Sequence, residues 1–156
     1  MQLTYFGRTV QPKSESFGCG QNLTAIARIL ALMDYKLELI AVPVSDVDRA
    51  KAFYVDQVGF NADHDRRVNE NLRFIQLTPP GSACSIAFGD GITEAEPGSV
   101  KGLQLVVDNA DAAHAELSGR GVDVSDVQEF PWGRFVFFSD PDGNAWAVQE
   151  ILRPTS

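Results

Sequence analysis

A chain of 156 residues with 44% hydrophobic content carries enough apolar material for one compact domain with a sizeable core. A formal net charge of −8, with no basic cluster to offset it, argues against nucleic acid or an anionic membrane surface as a partner. The two cysteines, Cys19 and Cys84, fit neither a metal-ligand spacing nor a disulfide framework, so a reducing cytoplasm is the expected compartment.

Residues 1–36 open the chain as an arm rich in Gln, Ser, Gly and Thr. Within it, Leu23, Ile26, Leu30 and Met33 recur at helical spacing and predict a short amphipathic helix, too short to span a membrane. A first unit follows over 37–90. It opens with a strand to Val44; Ser45 and Asp46 then cap a helix whose inner face is Val47, Ala50 and Tyr54 and which Gly59 ends. Phe60 starts a strand that runs into a polar loop over 61–71, and a hairpin over 72–88 completes the unit. Residues 91–100 form an acidic linker.

The second unit, 101–152, repeats the plan. A strand over 102–107 leads to a helix over 109–118 with Ala110, Ala113 and Leu117 inward. Gly121 ends it, Val122, Val124 and Val127 predict a strand, and Arg134 to Glu150 form a hairpin. Its turn, Asp140-Pro141-Asp142-Gly143-Asn144, combines a fixed φ, a glycine and side chains that bond nearby backbone. The hairpins align at an offset of 62 residues, with Pro79 on Pro141 and Gly81 on Gly143, and the opening strands and helices align at 63. Two such matches indicate a duplicated β-α-β-β-β module.

These residues carry a family resemblance. The run Val44 to Tyr54 (VSDVDRAKAFY), Gly59-Phe60 and the turn over 140–144 together resemble the vicinal oxygen chelate superfamily, which includes glyoxalase I, bleomycin-resistance proteins, fosfomycin-resistance enzymes and extradiol dioxygenases. The resemblance covers residues 37–151. It implies an α+β fold in which paired βαβββ modules curl into a half-barrel cavity, commonly in a homodimer. Here the N-terminal helical extension is an addition.

The resemblance also implies a divalent metal held by His, Glu or Gln on the first and last strands of each module. Counting from Asp46 and from the turn glycine Gly143, and across the duplication, the four ligand positions fall on Leu39, Ser85, Gly102 and Ala147. Three have no donor and the fourth is a neutral hydroxyl, so no cofactor is expected; a divalent metal with displaced ligands is the alternative. Glu38 and Glu150 are one residue out of register and read as strand-end charges on the opposite face.

The same parity directs Leu39, Ala41, Ser85, Gly102, Gln104, Ala147 and Gln149 toward a mostly apolar hollow, with the two amides placed to orient a ligand carbonyl or hydroxyl. Trp132 and Arg134 flank Gly133 at its rim as a stacking surface and a carboxylate fork. The expected function is metal-free binding of a small organic molecule, by sequestration or resistance. The alternatives are an enzyme of the same superfamily (a lyase, isomerase or dioxygenase), for which His64 is the acid-base candidate, and a dimerising scaffold with a filled core.

Overall fold

The computed structural model describes residues 34–152. The arm helix expected over 23–33 and Cys19 lie outside the described residues. Among the described residues, eight strands form two sheets of four with the same order, first–fourth–third–second within each module. The first sheet holds β1 (Leu39–Ala41), β2 (Asn61–Asn69), β3 (Leu72–Thr78) and β4 (Ser85–Phe88). The second holds β5 (Leu103–Val107), β6 (Gln128–Phe130), β7 (Gly133–Ser139) and β8 (Ala145–Glu150). In each sheet the opening strand pairs parallel to the closing strand, and the remaining pairs are antiparallel. The α+β class and the paired βαβββ modules read from the duplication are therefore present.

Each module carries one helix on one face of its sheet. Asp46 caps α1 (Val47–Ala52) by accepting from Arg49 N at 3.0 Å. The helix then widens into a π-helical turn, Phe53–Val58, which Gly59 stops in the left-handed region at φ 91°. Asn109 caps α2 (Ala110–Gly119) in the same way, accepting from Ala112 N at 2.7 Å. The faces under the helices form a single core. Val42, Tyr54, Ile75, Leu77, Phe88, Val136 and Val148 are almost fully buried there, and Phe138 and Trp146 stack on each other with ring centres 5.9 Å apart.

The closing turn ties the modules together. Tyr54 Oη donates to Asp140 Oδ2 at 2.9 Å and accepts from Trp146 Nε1 at 3.1 Å. Asn144 Nδ2 donates to Pro43 O at 2.8 Å, and its Oδ1 accepts from Val100 N. Asp142 takes both the backbone and the hydroxyl of Ser45 and pairs with Arg49 at 2.9 Å. Gly98 lies against this turn at φ 77°, and a Cβ there would sit 2.0 Å from Asp142 O, so only glycine fits. Asp140 and Asn144, placed in the sequence by their turn chemistry, are buried because the turn lies inside this junction.

Three expectations need correction. Residues 61–69, read as a polar loop, form the edge strand β2. Every residue in it is exposed, so no apolar period marked it, and its charges protect a free edge. Over 122–127, where a strand is expected, the chain meets the sheet at the Val124–Phe138 bridge and through Ser125, which bonds Phe137; the paired strand is 128–130. The opening strand of the first module is shorter than expected, at three residues.

Candidate functional site

Residues that pair across a sheet share a face, so the strand register sorts every side chain. On the second sheet, Phe138, Trp146 and Leu103 face the helix with Val136, Val148 and Leu105. The opposite face carries Gln104, Ala147 and Phe137 in one row and Val106, Gln149 and Phe135 in the next. On the first sheet the corresponding face carries Leu39 beside Ser85, and Ala41, Ala87, Gln76 and His64 in one row. Neither of these faces is covered by a helix among the described residues. Leu39, Ala41, Ser85, Gln104, Ala147 and Gln149 thus stand on uncovered faces, as their parity required.

Two predicted positions lie elsewhere. Gly102 precedes β5 in a left-handed conformation, with no atom within 4 Å of where a Cβ would stand. Leu39 pairs with Ser85, whereas Ala147 pairs with Gln104, so Gln104 takes the place that the sequence offset assigned to Gly102. A slip of two residues preserves parity, which is why the face was right and the position was not. Arg134 is on the helix side. It pairs with Glu150 across the sheet, binds Asp111 at 2.7 Å and Glu150 at 3.2 Å, and lies 3.5 Å from Glu129. Its Nη1 and Nη2 are engaged there, on the face opposite the one that carries Gln104 and Gln149.

Trp132 is 63% exposed and stacks on Phe130 with ring centres 5.6 Å apart and planes 20° from parallel. Phe130 packs edge-on against Phe135, which stacks on Phe137 at 5.9 Å with planes 5° apart. Four aromatic rings therefore cluster on this side of the second sheet, with Trp132 exposed, Phe130 and Phe137 half-buried and Phe135 buried. In the sequence, Phe135 and Phe137 are legible only as part of the closing hairpin over 134–150. The alternation Phe130, Phe135, Phe137 across two strands was the available signal, but it needed the β6–β7 register to be read.

An amide pair borders this pavement. Gln149 Nε2 donates to Trp132 O at 3.1 Å, and Gln149 Oε1 accepts from Gln104 Nε2 at 2.5 Å. Gly133 permits the arrangement, because a Cβ there would lie 2.8 Å from Gln149 Nε2. On the first sheet, Ser85 is 5% exposed and accepts from Gln76 Nε2 at 3.0 Å; its hydroxyl is 2.7 Å from Thr78 Oγ1, which donates to Asp63 Oδ2 at 2.5 Å. Ser85 and Gln104 line one hollow of about 80 Å³ between the modules, together with Cys84, Ile40, Pro79 and Leu103. His64 is exposed on the edge strand beside Gln76.

The charged groups of the first module gather on the other side of its sheet. Arg73 holds Asp65 in a two-pronged contact and reaches Asp48 at 2.8 Å, and Lys51 adds a bond to Asp65. Hydrogen bonds from Arg73, then from Lys51, hold the Asp65 carboxyl well below the usual range. Burial, reinforced by the charge of Asp140, pushes the Tyr54 phenol far above its ordinary value.

The divalent metal that the resemblance implies does not fit these residues. The four positions are a leucine, a serine engaged by Gln76 and Thr78, an alanine and a glutamine amide engaged by Gln149. Among the described residues, no three His, Cys, Asp or Glu side chains come together as a metal site.

The profile of the Glyoxalase/Bleomycin resistance protein/Dioxygenase superfamily matches residues 36–148. Among solved structures, TnmS3, an antibiotic binding protein from Streptomyces sp. CB03234, superposes with a TM-score of 0.71 at 39% identity, over 78% of this chain and 99% of that one. A superfamily member from Sphaerobacter thermophilus DSM 20745 superposes with a TM-score of 0.67 at 33% identity, over 76% of this chain and 98% of its own. YwkD, an uncharacterized protein of Bacillus subtilis (strain 168), is 30% identical over 111 residues, covering 66% of this chain and 87% of its own.

Proposed function

We propose, from the premise that this chain belongs to the Glyoxalase/Bleomycin resistance protein/Dioxygenase superfamily, that it binds a small aromatic molecule without a metal, as a sequestering or resistance protein. The observation that carries this reading is the pavement of Phe130, Trp132 and Phe137, backed by buried Phe135, on a sheet face that no helix among the described residues covers, bordered by the Gln104–Gln149 pair. Flat rings gain from stacking on such a surface, and an amide beside it fixes their orientation. Donor-poor side chains at the four metal positions favour binding over metal-assisted catalysis. The similarity to TnmS3, an antibiotic binding protein, supports the same class of ligand.

The reading includes a homodimer. Val106 and Trp132 are both more than half exposed on the open face, and a second copy would cover such a surface. It also includes a cytoplasmic location; no helix among the described residues is long and apolar enough to cross a membrane.

Protein purified without chelators is to be assayed for metal and then screened by thermal shift against planar aromatic antibiotics, bleomycin among them. A ligand that binds the native state raises the melting temperature. The expected result is a rise with an aromatic compound, smaller in Trp132→Ala, and no stoichiometric metal. One equivalent of zinc, iron, nickel or manganese held by the protein, or no response to any aromatic compound, overturns the reading.

A further inference from the structure

We infer that the hollow between β4 and β5 selects a hydrogen-bond donor on the ligand, a hydroxyl or an amine, and rejects the same ligand with that group capped. The inference rests on the proposed binding of an aromatic molecule and adds which polar group that molecule presents. It comes from the direction of two hydrogen-bond chains that end at the hollow.

The first chain starts from Asp63. A carboxylate only accepts, so the 2.5 Å contact with Thr78 Oγ1 uses the threonine proton. Thr78 Oγ1 then has only lone pairs left, and the 2.7 Å contact with Ser85 uses the serine proton. Gln76 Nε2 donates to Ser85 at 3.0 Å. Ser85 has therefore spent its single proton, and what it retains toward the hollow is a lone pair.

The second chain is fixed by the carbonyl of Trp132, which likewise only accepts. Gln149 must turn its Nε2 to that carbonyl, which leaves Oε1 for Gln104, and Gln104 must answer with its own Nε2. The amide oxygen of Gln104 accepts from no other described residue. Ser85 and Gln104 both line the hollow of about 80 Å³, which has room for a polar substituent of a ligand. Two acceptors of fixed polarity thus meet there, one from each module. Ser85 is buried and Gln104 is exposed, so a ligand that cannot donate leaves the serine oxygen unpaired away from water, and this is the source of the discrimination.

The test uses 6-hydroxyquinoline and 6-methoxyquinoline, which share an aromatic plane and differ by one methyl on the oxygen. Binding of each to the full chain is measured by calorimetry at neutral pH. The hydroxyl compound is expected to bind roughly tenfold more tightly. Thr78→Val removes the acceptor that holds the Ser85 proton, so the serine can donate and the preference is expected to shrink severalfold, with the Gln104 acceptor left in place. Asp63→Asn, a change on an exposed edge strand, lets the side chain donate to Thr78 and reverse the chain; the preference should shrink there too, with the melting temperature maintained. Equal binding of the two compounds to the native chain, or a preference untouched in both variants, overturns the inference and leaves the aromatic binding reading standing. Binding of neither compound overturns both.

Discussion

Tyr54 and Asp140 meet at 2.9 Å across the boundary between the two modules, in a region from which water is excluded. The phenol belongs to the helical segment of the first module and the carboxylate to the closing turn of the second. Tyr54→Phe would leave Asp140 Oδ2 with one donor fewer and Trp146 Nε1 with no acceptor. The expected loss is about 1–3 kcal/mol, read as a lower denaturation midpoint with an unchanged slope.

The same phenol sets an alkaline limit. Its folded pKa is raised by burial, so the folded chain keeps a proton that the unfolded chain releases above about pH 10. Its contribution is complete below that value and declines as pH rises further. Denaturation followed from neutral to strongly alkaline pH should show stability falling, and Tyr54→Phe should shed that part of the slope.

Asp65 works in the opposite sense. Its folded pKa is lowered by Arg73 and Lys51, so the contribution is present above the ordinary carboxylate value of about 4 and is lost as pH falls below it. Asp65→Asn should reduce stability at neutral pH by about 1 kcal/mol or less, because the group is partly exposed. It should also flatten the acid limb of the stability profile, which a denaturation series in mildly to strongly acidic buffers measures.

Trp132 and Arg134 are two residues apart and have separate fates. Trp132→Ala removes one ring of the pavement and should weaken binding of an aromatic ligand by about 0.5–1.5 kcal/mol while stability changes little. Arg134→Ala removes the contacts to Asp111 and Glu150 and should lower stability slightly with affinity unchanged. Calorimetry and thermal denaturation of the pair separate the two roles.

Gly133→Ala is expected to damage both properties. The added methyl would lie 2.8 Å from Gln149 Nε2 and 2.7 Å from Glu150 O, so the turn must move. Overpacking of this kind costs about 1–3 kcal/mol and would pull Trp132 O away from Gln149. A lower melting temperature together with weakened binding of an aromatic probe is the expected outcome.

The duplication was legible because its signals are local. Turn chemistry at Asp140 to Asn144, caps at Asp46 and Asn109, and helix-stopping Gly59 each act within a few residues. Side-chain parity was legible for the same reason, since alternation holds within one strand; it separated Gln149 from Trp146 and Val148 before any pairing was known. Pairing itself was not legible. Gln104 rather than Gly102 stands beside Ala147 because the second parallel pair is shifted by two residues, and no local residue encodes that shift. The edge strand over 61–69 was missed because strand structure there comes from pairing with β3 and not from an apolar period. The aromatic pavement was missed as a surface because it joins Phe130 to Phe135 across strands.

The Asn144–Pro43 and Tyr54–Asp140 bonds have a consequence for how the chain acquires its shape. Each half brings to the seam polar atoms that only the other half can pair, so a fragment ending in the 91–100 segment would strand them in a greasy wall with no partner. The two copies inherited from duplication are therefore no longer self-sufficient. They should melt together in one cooperative step, and a chain severed at the segment should recover its shape only when both pieces are mixed.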